Sequence, residues 1–144
     1  MYEELKEEIK LHEGFVPRTY ADSLGKRTIG YGHLCVEPEQ WDDDKEYTKE
    51  ELNVVFEKDF NEALKNAEHL IGERSINDTA KEVIIEMVFQ LGIGGVGKFK
   101  KLWSALDRED YGEASFQMLD SLWAKQTPAR AGKLAGKMRS AKEA

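Results

Sequence analysis

The sequence predicts an α+β chain, mostly α, and three observations lead to that class. Apolar residues recur at helical spacing through 48–71 and again through 80–91. One stretch, 16–31, carries the β-formers Val16, Thr19, Tyr20, Thr28, Ile29 and Tyr31 around a turn-like Asp22-Ser23-Leu24-Gly25. The composition, 40% hydrophobic and 34% charged over 144 residues, is that of one soluble globular domain with a real core rather than a disordered chain.

The chain opens on EELKEEIKLHE, a predicted helix with Leu5 and Ile9 one turn apart. Gly14 can end it in the left-handed conformation. Glu13 then sits at the negative end of the helix dipole, where a carboxyl holds its proton more firmly. A glutamic acid kept protonated near neutral pH can serve as a general acid. The β-forming runs 16–21 and 27–31 predict a hairpin with Asp22 at its tip. In that wet, polar setting Asp22 stays ionised. Two carboxyls held in different protonation states form the pair that glycoside hydrolysis commonly uses. The pair alone is not specific, because the chain holds 28 Asp and Glu. A helix-end acid and a turn-forming Asp explain the two residues on their own.

Residues 35–47, CVEPEQWDDDKEY, are acidic and aperiodic and read as a solvated loop. Asp42-Asp43-Asp44 lacks the alternating ligands and central Gly of a calcium-binding EF-hand. Cys35 is the only cysteine, which excludes an intramolecular disulfide. Thr48-Lys49-Glu50-Glu51 is a capping box. Leu52, Val55, Phe56, Phe60, Ala63, Leu64 and Ala67 mark one face of the helix it opens, and Gly72 can end that helix. Asn77 or Asp78 caps the next helix. Its Ala80, Val83, Ile84, Met87, Val88 and Leu91 are too apolar for a surface helix, so it is predicted to be buried. Gly92, Gly94, Gly95 and Gly97 then break the chain. The stretch LGIGGVGK follows a helix and lacks the Gly-Lys-Ser/Thr ending of a phosphate-binding loop. Short helices follow over 99–105 and 111–122, the second turning Ala114, Phe116, Leu119 and Leu122 partly inward. Thr127 as N-cap and Pro128 as first residue start the last helix. Arg130 falls in its first turn, where the dipole disfavours a cation, so an anion is expected nearby. The tail, 132–144, is basic and glycine-interrupted, and its last turns are expected to fray.

Glu13-Gly14, Tyr20-Ala21-Asp22, Gly25 and Thr28-Ile29-Gly30-Tyr31-Gly32-His33-Leu34 together resemble the catalytic region of the phage-type lysozymes of the T-even kind. Met87-Val88-Phe89-Gln90-Leu91-Gly92, with Gly95-Val96 and Phe99, resembles that family's central helix and the turn after it. Ser121, Trp123, Gln126-Thr127-Pro128 and Arg130-Ala131 resemble its late helix junction. The matches fall in order and span most of 5–131.

The resemblance implies a single lysozyme domain over 1–144. A small hairpin-bearing lobe (about 14–47) is joined by a long helix (about 48–71) to a larger helical lobe (about 72–144 plus the N-terminal helix), with a cleft between them. The implied activity is that of a muramidase. It would hydrolyse the β-1,4 bond between N-acetylmuramic acid and N-acetylglucosamine in peptidoglycan, with inversion, and so lyse the cell wall. Residue by residue, the resemblance makes Glu13 the general acid and Asp22 the second carboxylate, with Thr28 helping Asp22 to place water. It makes Leu34, Phe89 and Gln90 substrate-binding. It pairs Arg130 with Glu13, and His33 with Asp59 in a structural ion pair. Leu102 and Gln117 stand where the family has a small polar residue and an asparagine lining the cleft, so those two contacts do not carry over. No metal or organic cofactor is called for.

Bacterial peptidoglycan is thus the expected partner, met by a monomer. The net charge of −7 argues against nucleic acid, whose phosphates need a basic patch. It also departs from the family, whose members are commonly basic. The bases of this chain gather late, at Lys98, Lys100, Lys101 and over 125–142. No apolar run approaches the ~20 residues of a membrane span. The charged MYEELKEEIK is not a secretory signal peptide. The expectation is a protein made in the cytoplasm of a host cell that acts on the wall after release. One rival is a lytic transglycosylase, which cuts the same bond without water and relies on a lone acid. Asp22 together with Thr28 argues against it. Another is a peptidoglycan-binding protein with a lysozyme fold and no activity, against which stand all the matching catalytic positions. A small helical interaction domain would leave the glycine-spaced hairpin unexplained.

Overall fold

The computed structural model describes residues 1–143. Its Cα atoms group into two compact units, Met1–Glu62 and Ala63–Ala144.

In the first unit, helix α1 (Glu3–Glu13) is followed by strands β1 (Val16–Ala21), β2 (Arg27–Gly30) and β3 (His33–Leu34). The strands form one antiparallel sheet in the order β1-β2-β3. The predicted hairpin is therefore present, and β3 adds a strand that its two-residue length hid. Helix α2 (Lys49–Ile71) starts at the capping box. Glu51 N donates to Thr48 Oγ1 and Thr48 N donates to Glu51 Oε1, both at 3.1 Å, so two orphan amides are satisfied reciprocally. Leu5, Ile9, Ile29, Leu52, Phe56 and Phe60 are buried.

The sequence reading groups α1 with the later helices, yet by proximity it belongs to the first unit. The cause is a set of contacts with the start of α2. Lys6 Nζ donates to Glu57 at 2.8 Å and Lys10 Nζ to Asn53 at 2.6 Å. The same two ammonium groups lie over the Phe60 and Phe56 rings, at 5.2 and 4.9 Å from the ring centres. Tyr2, Phe60, Phe56, Tyr31 and Phe15 form a continuous run of ring contacts, each 5.0–6.3 Å between centres. That run fixes the end of α1, and with it Glu13, against β2 and α2.

In the second unit α3 (Asp78–Gly97) is the buried helix. Asn77 caps it, accepting from Ala80 N at 3.0 Å. The glycine-rich run only interrupts this helix: Gly92 takes φ 79°, a conformation open to glycine, and helical turns resume to Gly97. Helices α4 (Lys100–Asp107), α5 (Tyr111–Leu119), α6 (Leu122–Gln126) and α7 (Pro128–Ser140) follow, then a 3-10 turn over Ala141–Glu143.

Two sequence expectations change here. The predicted helix 111–122 ends at Leu119, and Ser121 caps a new one by accepting from Ala124 N at 3.1 Å. Its inner stripe is Tyr111, Ala114, Ser115 and Met118; Phe116, Leu119 and Leu122 are exposed. At 3.6 residues per turn, 119 falls beside the stripe and 116 on the far side of the helix. Thr127 is not a side-chain cap, because its hydroxyl donates back to Trp123 O at 3.1 Å. The tail is helical to Ser140, with Leu134, Ala135, Met138 and Ala141 buried, and Ser115 Oγ donates to Ala135 O at 2.7 Å. Among the described residues, no helix is long and apolar enough to cross a membrane.

Candidate active site

Glu13 is the last residue of α1, and Gly14 (φ 75°) turns the chain into β1. Its carboxyl lies against the backbone of Gly32, in the turn between β2 and β3. A Cβ on Gly32 would stand 2.5 Å from Glu13 Oε1 and 3.2 Å from Cδ. Gly32 also has φ +74°, so both its space and its conformation are reserved for glycine. Gly32→Ala is therefore expected to do more harm to activity than to folding. The backbone strain costs about 1 kcal/mol or somewhat more, but the carboxyl must move away. Misplacing a reacting group by about 1 Å costs on the order of 10²-fold in rate. A melting curve beside an activity assay checks this, and unaltered activity would show that the contact does not place Glu13.

Asp22 sits at the hairpin tip, as the sequence predicts. Its Oδ1 accepts from Leu24 N at 2.9 Å and Lys26 N at 2.8 Å, while Asp22 N donates to Lys26 O at 2.8 Å. One carboxylate oxygen thus builds the turn, and Oδ2 is left over for other work. Thr28, only 3% exposed, spends its hydroxyl proton on Lys26 O at 2.9 Å. Its oxygen can then only accept from a water.

Tyr20 faces Thr28 directly across the β1–β2 pair. Burial, and after it the charges of Glu13 and Asp22, raise its phenol above the ordinary value. Both carboxyls therefore lie within electrostatic reach of one hydroxyl. The three predicted catalytic residues come together around the hairpin. Leu34 pairs with Thr28 across β2 and β3 and is 44% exposed.

His33 and Asp59 form the expected pair, Nδ1 to Oδ2 at 2.7 Å. The sequence reading missed a third member, Glu39. Its Oε1 lies 2.9 Å from His33 Nε2 and accepts from Trp41 Nε1 at 2.9 Å. The 35–47 segment is thus not a free acidic loop. Arg27 Nε and Thr19 Oγ1 hold Asp43 at 2.9 and 2.6 Å, and Arg27 also reaches Trp41 O. No spacing rule in the sequence marks Glu39, because it is one acid among many.

The Asp59 hydrogen bond, against desolvation and helped by Glu39, raises the His33 pKa to about 9. A pKa raised above the unfolded value of ~6.5 stabilises the fold fully below that value, and the contribution fades as pH rises through about 9. Stability is expected to fall by about 2–3 kcal/mol between pH 6 and pH 10 from this group. Urea unfolding of wild type and His33→Asn at both pH values checks it. An equal fall in both proteins would remove His33 as the cause.

In the second unit, Gln90 and Phe89 stand on α3. Gln90 Oε1 accepts from Trp123 Nε1 at 3.0 Å, leaving its amide N–H groups to donate, and Trp123 is buried with its ring edge-on to Phe99. Leu102 and Gln117 line one depression with Leu91 and Trp123. Arg130 Nε donates at 3.0 Å to Glu86 Oε2, and Glu86 is fully buried. An anion near Arg130 was expected from the helix dipole, and Glu86 is one that sequence reasoning missed. The signal was present: a lone acid in the apolar run Val83-Ile84-Ile85-Glu86-Met87-Val88 needs a buried partner.

A mostly helical fold with an acid-tipped hairpin, and an acid at the end of the preceding helix, defines a lysozyme-like protein. The phage lysozyme family model matches residues 10–143, and the chain belongs to that family. Two relatives from Dictyostelium discoideum are described as probable T4-type lysozymes 1 and 2. They are 29% and 27% identical to this chain over 157 aligned positions, covering 93% of it and 92% of each relative. The pre-baseplate central spike protein Gp5 of Enterobacteria phage T4 is 27% identical over 152 positions. That match covers 90% of this chain and 26% of the spike protein. Family membership gives the chain a lysozyme-type function directed at peptidoglycan.

Proposed function

We propose that the protein is a muramidase that hydrolyses the β-1,4 bond between N-acetylmuramic acid and N-acetylglucosamine, inverting the anomeric carbon. The observation that carries this reading is the pair of acceptors on the hairpin. Asp22 Oδ1 is anchored by two amides and Thr28 has spent its proton on Lys26 O. A water donating one proton to the free Asp22 oxygen and one to Thr28 Oγ1 has its lone pair left for attack. Glu13 gives its proton to the leaving glycosidic oxygen, and Asp22 takes up the proton the water loses. Inversion requires room for that water between the two carboxyls, a separation of roughly 6.5–9.5 Å in glycosidases generally. Leu34, Phe89 and Gln90 contact the glycan, and the protein works as a monomer without a cofactor.

The same acceptor pair favours hydrolysis over lytic transglycosylation, which has no use for a placed water. Mass analysis of products from purified peptidoglycan tests the reading. Fragments ending in reducing muramic acid support it. Anhydro ends, lighter by one water, would replace it with transglycosylation, and no products from folded protein would leave wall binding alone.

A further inference from the structure

Among the polar side chains of the hairpin that the scheme above does not use is Tyr20. Tyr20 is directly opposite Thr28, and it precedes Asp22 by two residues. Residues two apart along a strand, and residues directly opposite across an antiparallel pair, share a face. The Asp22 N to Lys26 O bond carries the ladder one step past β1, so this rule reaches Asp22. Tyr20, Asp22 and Thr28 therefore belong to one face of the hairpin.

We propose that Tyr20 is a positioning residue of this site: its phenol O–H donates to the free oxygen of Asp22, or to the water beside it, and fixes the direction of attack. The inference rests on the muramidase reading. It answers a shortage in that arrangement, since both groups assigned to the water are acceptors and neither can orient Asp22 Oδ2. A neutral donor is what the pair lacks. The phenol's pKa, raised above its ordinary value, keeps it protonated and therefore a donor at neutral pH.

The test is Tyr20→Phe, which removes one oxygen and keeps the ring, assayed on soluble glycan fragments beside wild type and Tyr20→Leu. Positioning predicts a fall in kcat of at least about tenfold in Tyr20→Phe, with KM within about twofold and an unchanged melting curve. A packing role predicts instead that Tyr20→Phe matches wild type and only Tyr20→Leu suffers. Wild-type kcat in Tyr20→Phe, beside an active wild type, overturns this inference alone. An inactive but folded wild type overturns the muramidase reading and this inference with it. A second measurement covers a poorly folding variant. Tyr20→Phe combined with Thr28→Ala should lose far less than the product of the two single losses, since both act on the same water. Losses that multiply overturn the proposal.

Discussion

Glu13→Gln is expected to lower glycan cleavage by about 10²–10⁴-fold, the range a positioned general acid contributes, while the protein stays folded. Glutamine has the size of glutamate, so it fits the space that Gly32 leaves open beside the end of α1. What it loses is a transferable proton. The variant is informative beside Gly32→Ala. Glutamine removes the proton and leaves the position, whereas alanine at 32 moves the position and leaves the proton. A large loss in both would place the acid function in Glu13 and its aim in Gly32. Turnover within tenfold of wild type in Glu13→Gln would take Glu13 out of the acid role, and the inverting scheme with it. Initial rates on soluble fragments, with thermal melts of the same samples, make the measurement.

Much of this arrangement was legible because it is local. A helix ending at Gly14, a turn opening at Asp22 and a capping box at Thr48 each depend on a few neighbouring residues, and each formed as the sequence implied. What was not legible depends on how the chain folds back on itself, which residue types and spacing do not state. Glu39 reads as a loop acid until His33 and Trp41 are seen on it. Tyr20 reads as a β-former until strand register sets it opposite Thr28. The end of α5 was missed because Leu119 and Leu122 look like further core positions, and only Ser121 as a cap separates them from it. Hydrophobicity at helical spacing overcounts the core wherever the apolar set is wider than the buried stripe. The acidic segment 35–47 went the other way. Its charges were counted as solvated, yet Asp43 and Glu39 anchor it to the sheet.

Arg130→Met is expected to destabilise the second unit by about 3–5 kcal/mol, the cost typical of breaking a buried ion pair by removing one partner. Glu86 is fully out of water and the Arg130 side chain is only 11% exposed. Methionine keeps much of the arginine stem's volume, so the loss is one of charge rather than packing. The position raises the stakes. Arg130 is the third residue of α7, at the positive end of that helix, where a cation is held only if an anion offsets the dipole. Glu86, on the most buried helix of the unit, supplies that anion at 3.0 Å. The converse variant separates charge pairing from general disruption. Replacing both residues by Met removes both charges together, and such swaps are often neutral or stabilising by 1–4 kcal/mol relative to the pair. The double variant should therefore recover most of the stability that Arg130→Met loses, a coupling that a urea double-mutant cycle reads directly. A single-variant loss below about 1 kcal/mol, or no recovery in the double, would show that the pair is not an anchor of the fold. Recovered stability with activity still absent would assign Arg130 a second role in the reaction, apart from the one it plays in folding.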